Sequence, residues 1–223
     1  MNWFSDALAW VVPVVLAVTL HEAAHGWMAE RYGDNTARLL GRVTFNPLRH
    51  IDRFGTVILP GLLFFTHAPF IFGYAKPVPV NFYRLRPPRL GMLMTAAAGP
   101  GTNICLALVS GLLMHLDMLV VPERAPLLFK SLDISVMANC ALAVFNMIPI
   151  LPLDGGRVLA SLLTGGARRL FDRLERRGIA IVLLVLMVPP LFGVNLLQSA
   201  LAAPVFGLIE KILWLTGNGA VRG

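Results

Sequence analysis

Residues 7–27 read ALAWVVPVVLAVTLHEAAHGW. The first fourteen, Ala7–Leu20, carry no charge, which is how a helix entering a bilayer begins. The run then ends in His21, Glu22 and His25. Ionisable groups at that depth are expensive and mark function. The three form H-E-x-x-H. At i and i+4 of one helix the two imidazoles share a face, about 6 Å apart in rise, so both can bind one zinc ion. Glu22 projects beside them, placed to take a proton from an attacking water.

The rest of the chain agrees with a membrane setting. Of its 223 residues 57% are hydrophobic and 14% charged, against about 25% charged in soluble domains. Apolar segments recur near 7–26, 54–72, 92–121, 134–153, 178–198 and 200–217, without the alternation of a barrel. The fold expected is therefore an all-α polytopic membrane protein, one domain over 1–223, with a core at 7–156 and additional helices over 178–217. The short polar gaps leave no room for a soluble domain. The N-terminus MNWFSD lacks a basic n-region, so no cleaved signal peptide is expected. A net charge of +7 invites a nucleic-acid partner, but the arginines lie between apolar segments, where membrane topology puts them. The partners expected are membrane lipid and not nucleic acid. Cys105 and Cys140 both lie in apolar runs and read as small packing residues.

Between the apolar runs, 28–53 contains GRVTFN, with strand-like alternation, and 73–90 holds four closely spaced prolines. Both suit short extended segments at the membrane surface. ARRLFDRLERR (167–177) reads either as a basic amphipathic surface helix or as a solvated loop.

Catalytic zinc usually keeps three protein ligands, so a third is required. The H-E-x-x-H-x-x-G-x-x-H extension fails, because Met28 and Arg31 stand at its last two positions. Glu123, Glu175 and Glu210 lie in no polar motif on an apolar helix. His50 is in a polar loop, while His67 and His115 read as packing or interfacial residues. Asp154 stands apart in NMIPILPLDGGRVL (146–159). Pro149 and Pro152 break the helix before it, and Gly155 and Gly156 permit close approach of backbone. Asp154 is either the third ligand or a cap for the following helix. Asn146 suits a hydrogen bond to the oxyanion of a tetrahedral intermediate, or an amide of helix packing.

These residues resemble the site-2 protease family of intramembrane zinc metalloproteases. HEAAH (21–25) and NMIPILPLDGG (146–156) carry the resemblance, and AAGPGTN (97–103) is similar to the start of that family's middle core helix. The resemblance implies one zinc held by His21, His25 and Asp154, Glu22 as general base and acid, and Asn146 against substrate or oxyanion. It also implies a transmembrane protein as substrate, cut within or near its membrane segment. Many relatives of that kind carry a PDZ or CBS domain, for which this chain has no room. A membrane metal transporter or metal-sensing protein is the competing reading of the same buried His and Asp groups. Against it, Glu22 places a base beside the metal, and no second set of ionisable residues forms a path.

The chemistry also constrains topology. His21 and Asp154 both lie at the far ends of their segments, so both helices must run from one side of the membrane, A, towards the other, B. The two apolar segments between them allow this only if one does not cross singly. The segment 54–72, short and interrupted by Pro60, Gly61 and Pro69, is expected to re-enter and return to B. Side B then receives fifteen Lys and Arg residues and side A only Arg124 and Lys130. The positive-inside rule makes B the cytoplasm, in the plasma membrane of a bacterium or archaeon.

Overall fold

The computed structural model describes residues 3–65, 75–121, 123, 125–168, 182, 184 and 196–219. Helix α1 spans Trp3–Arg31, a short α2 Thr36–Leu39, α3 Leu59–Phe65, α4 Pro88–Leu113, α5 Pro126–Asn146, α6 Asp154–Leu162 and α7 Leu196–Leu215. No strand occurs among the described residues. Among the described residues, three stretches are long and apolar enough to cross a membrane: Ser5–Arg31, Pro88–Met118 and Pro126–Asn146. Pro88 and Pro126 each open their helix, where a missing N–H costs nothing. Gly33, at φ 101°, ends α1 in a left-handed turn that favours glycine.

Helices α1, α4 and α5 pack pairwise into the core, α6 lies on α4, and α7 covers α4 and α5. Polar side chains are buried within the bundle while many large apolar ones face outward. Thr19, His21, His25, Thr95, Asn103, Ser110 and Asn139 are buried, whereas Trp10, Val11, Val12, Leu16 and Val109 are exposed. That inversion is the mark of a protein whose solvent is lipid. Lipid tails are as apolar as Leu, so close packing through small residues holds such helices together. Gly111 shows this: a Cβ there would lie 2.7 Å from Thr216 Oγ1. Ala107, Met114, Val136, Cys140 and Ile212 fill the α4–α5–α7 seam. His115 bonds the Thr216 carbonyl at 2.5 Å, a packing role as expected from the sequence.

Polar contacts set the helix directions. At one end, Lys130 near the start of α5 pairs with Asp6 near the start of α1 at 2.5 Å. At the other, Asp154 meets His21 and His25. So α1 and α5 run parallel, as the topology argument required. The Arg86 N–H donates to the Tyr32 carbonyl at 2.8 Å, so α4 begins where α1 ends. The Lys76 N–H donates to the His50 carbonyl at 2.9 Å, bringing together the two ends of the excursion that contains 54–72. Residues 50 and 76 therefore lie side by side. The described part of the excursion is a π-helical turn, Arg53–Ile58, running into α3; residues 66–72, with His67, lie outside the described residues.

One expectation changes. GRVTFN forms bends and not an extended strand. Its polar side chains capture the backbone instead: Thr44 Oγ1 accepts from the Asn46 N–H at 3.1 Å, and Asn46 Oδ1 from the Leu48 N–H at 3.0 Å. The helix break expected before Asp154 is found: α5 stops at Asn146 and the chain turns through 147–153. Residues 169–177 of the basic stretch and most of 178–198 lie outside the described residues.

Candidate metal centre

The turn after α5 folds back on the helix it leaves. A Cβ on Gly155 would lie 2.2 Å from the Met147 carbonyl oxygen, and one on Gly156 2.6 Å from the Ile150 carbonyl carbon. Only glycine allows this approach, and it delivers Asp154, the first residue of α6, to the face of α1. There Asp154 Oδ2 lies 3.2 Å from His21 Nε2 and 3.3 Å from His25 Nε2. The two Nε2 atoms are 3.1 Å apart. The Asp154 side chain does not cap α6, so of its two readings from sequence the structure favours the ligand position.

The outer ring nitrogens decide what the inner ones offer. His25 Nδ1 lies 2.7 Å from the Thr95 carbonyl oxygen, which only accepts, so Nδ1 carries the proton. His21 Nδ1 lies 2.6 Å from Asn103 Oδ1. The Asn103 amide nitrogen donates elsewhere, to Asn139 Oδ1 at 2.8 Å and the Ala17 carbonyl at 3.3 Å, which fixes its oxygen towards His21. With these Nδ1 protons, the neutral form of each imidazole turns a lone pair inward, next to a carboxylate oxygen. Three acceptors converging without a donor call for a cation. Tetrahedral zinc with ligands at 2.0–2.1 Å has ligand–ligand edges of about 3.3 Å, and the triangle found here has edges of 3.1, 3.2 and 3.3 Å. The donor set and its spacing fit zinc. The three residues are a group able to hold a metal ion.

Helix α4 closes the centre from behind. A Cβ on Gly99 would lie 2.4 Å from His25 Nε2, so the helix can approach only through a hydrogen at this position. AAGPGTN thus contributes Gly99 for proximity and Asn103 for orientation. The network continues into α5, where Asn139 Nδ2 donates to the Ser135 carbonyl at 2.9 Å. Ser110 and Ser135 share a hydroxyl bond of 2.8 Å. Asn139 escaped the sequence reading, although an amide amid the apolar residues of α5 was a usable signal.

Glu22 lies on the other side. Its Oε2 accepts from the Val78 N–H at 2.8 Å. Residues 75–81 form an irregular strap across α1 at this point. Arg42, itself buried, donates to the carbonyls of Lys76, at 2.6 Å, and Arg49. The Val78 side chain packs on Gly26, where a Cβ would lie 3.1 Å from Val78 Cγ1. Asn146, at the end of α5, donates to the Leu142 carbonyl of its own helix at 3.0 Å. The structure therefore gathers His21, His25 and Asp154, holds Glu22 on the Val78 N–H, and shows Asn146 bonded to its own backbone.

Comparison with known proteins yields the following. The profile described as Peptidase family M50 matches residues 123–189, which include Asp154. A Bacillus subtilis protein named "Putative zinc metalloprotease YwhC" is 36% identical over 187 residues, covering 81% of this chain and 80% of that protein. Proteins named "Putative zinc metalloprotease Rip2" from Mycolicibacterium smegmatis and Mycobacterium tuberculosis are 25% and 26% identical, over 79% and 80% of this chain and 66% of each of theirs. No solved structure matches.

Proposed function

The chain belongs to peptidase family M50, the site-2 protease family, and is a zinc metalloendopeptidase; from that premise we propose that it hydrolyses peptide bonds in or near the transmembrane segments of other membrane proteins. The observation that carries this reading is the triangle of His21 Nε2, His25 Nε2 and Asp154 Oδ2, set among helices long enough to span a bilayer.

In this reading His21, His25 and Asp154 hold the zinc. When bound, zinc supplies a Lewis acid that polarises the scissile carbonyl and acidifies water. Glu22 takes the proton of the attacking water on its carboxylate and returns it to the departing amine nitrogen. Asn103 and the Thr95 carbonyl keep both imidazoles in the tautomer that faces inward. Asn146 steadies the oxyanion once substrate draws its amide away from Leu142. The substrate helix must unwind first, because helical hydrogen bonds occupy its carbonyls. The enzyme works in the plasma membrane, with its centre towards the cytoplasm, where the arginine-rich ends of α1 and α4 lie.

The test uses the purified chain in liposomes with a synthetic transmembrane peptide, the products mapped by mass spectrometry. Cleavage inside or within a few residues of the apolar segment supports the proposal. Cleavage confined to soluble peptides would overturn it.

A further inference from the structure

Beside the metal centre lies a cavity of about 1010 Å3. Four arginines line it, Arg86, Arg89, Arg157 and Arg168, with no Asp or Glu among the described lining residues. Three of the four are anchored by the protein. Arg86 Nη1 donates to the carbonyls of Tyr83 and Leu85 at 2.9 and 3.0 Å. Arg168 Nη1 donates to the Ala160 carbonyl at 2.7 Å. Arg157 lies over the Phe82 ring, 4.7 Å from its centroid. Asp34, fully buried, accepts from Thr36 and the Asn81 N–H behind the cavity wall, and its single charge offsets at most one of the four guanidiniums. Guanidiniums fixed before a ligand arrives lose little entropy on binding a carboxylate.

Place decides which anion. Val80 lines the cavity, two residues after the Val78 N–H that holds Glu22, and Leu151 lines it, three residues before Asp154. A peptide lying between Glu22 and Asp154 would reach the cavity within a few residues, at about 3.3 Å each when extended. The volume is at the top of the usual range for small-ligand sites, about 300–1,000 Å3, and so has room for a chain segment. We propose that this cavity receives an acidic stretch flanking the substrate's transmembrane segment, on the side where α1 ends and α4 begins. The inference rests on the intramembrane reading above and adds a substrate class to it: membrane proteins with acidic residues directly after the membrane segment.

The test compares two synthetic peptides in phosphatidylcholine liposomes, identical through the membrane, one flanked by four acidic residues and one by four glutamines. Binding is read on the full chain carrying Glu22→Gln, and cleavage on the unsubstituted chain. The acidic flank is expected to bind about tenfold more tightly at low salt, with the ratio shrinking as salt screens the charges. Arg86→Gln with Arg89→Gln should bring the ratio near one. Equal binding of both peptides, or a ratio that this double substitution leaves unchanged, overturns the proposal. So does loss of the preference when phosphatidylglycerol is added, which would assign the cavity to lipid headgroups. Failure of the intramembrane reading shows separately, as a binding ratio that persists while neither peptide is cut.

Discussion

The two flanks of the catalytic centre are built differently. On the metal side, rigid helices hold each inward-facing atom through buried side chains: Asn103 behind His21, Asn139 behind Asn103 and the Thr95 carbonyl behind His25. On the Glu22 side, the partner is a backbone N–H on an irregular strap, tied down by the guanidinium of Arg42. A metal centre requires its ligands fixed to a few tenths of an ångström, which crossing helices provide. In the proposed mechanism the base meets water and an unwound peptide, which calls for a wall able to move without disturbing the metal. Damage to the first flank should therefore remove zinc, and damage to the second should leave it in place.

The largest effect expected is that of Asp154→Ala. It removes one of three ligands, so zinc measured by atomic absorption should fall from one per chain to near none, with peptide cleavage lost. Zinc retained at full stoichiometry would break the comparison at its strongest point. Glu22→Gln comes next: cleavage should drop on the order of a thousandfold while zinc content stays at one per chain. Asn103→Leu leaves His21 Nδ1 without its acceptor and should weaken zinc binding about 10–100-fold in a chelator competition. Arg42→Gln should have the smallest effect. It leaves zinc content unchanged and lowers thermal stability, by about 1–3 kcal/mol for the loss of charged hydrogen bonds to buried carbonyls. Zinc loss in that variant would show that the strap supports the metal as well as the base. The return of the excursion to its own side has its own check. Cysteines replacing Leu48 and Tyr83, both exposed, should label from the same face of a sealed vesicle.

How much of this was legible in the sequence follows from which atoms do the work. His21, Glu22 and His25 stood out because their spacing is covalent geometry on one helix. Asp154 stood out because prolines and glycines around a carboxylate have few other uses in a membrane. Requiring His21 to meet Asp154 gave the helix directions, which the Lys130–Asp6 pair matches. The strap was not legible. Its contact with Glu22 comes from the N–H of Val78, and a main-chain donor has no identity that a sequence displays. Arg42 counted only as a topology charge, since nothing along the chain places it under the Lys76 carbonyl. The alternation of GRVTFN misled because period-2 patterning needs a neighbouring strand, and Thr44 and Asn46 satisfy that backbone locally.

The bond between His50 and Lys76 brings together the two ends of the stretch from 51 to 75. Its two ends are stapled beside the strap, so the distance it spans does not depend on its length. Closing a longer loop is thermodynamically mild, about 0.6 kcal/mol for each doubling. Under the proposed function, lengthening, trimming or exchanging this stretch is expected to change substrate choice while the seats of His21, His25 and Asp154 stay where they are. A protease built this way can diversify its clientele at one insertion point without reopening the geometry of its chemistry.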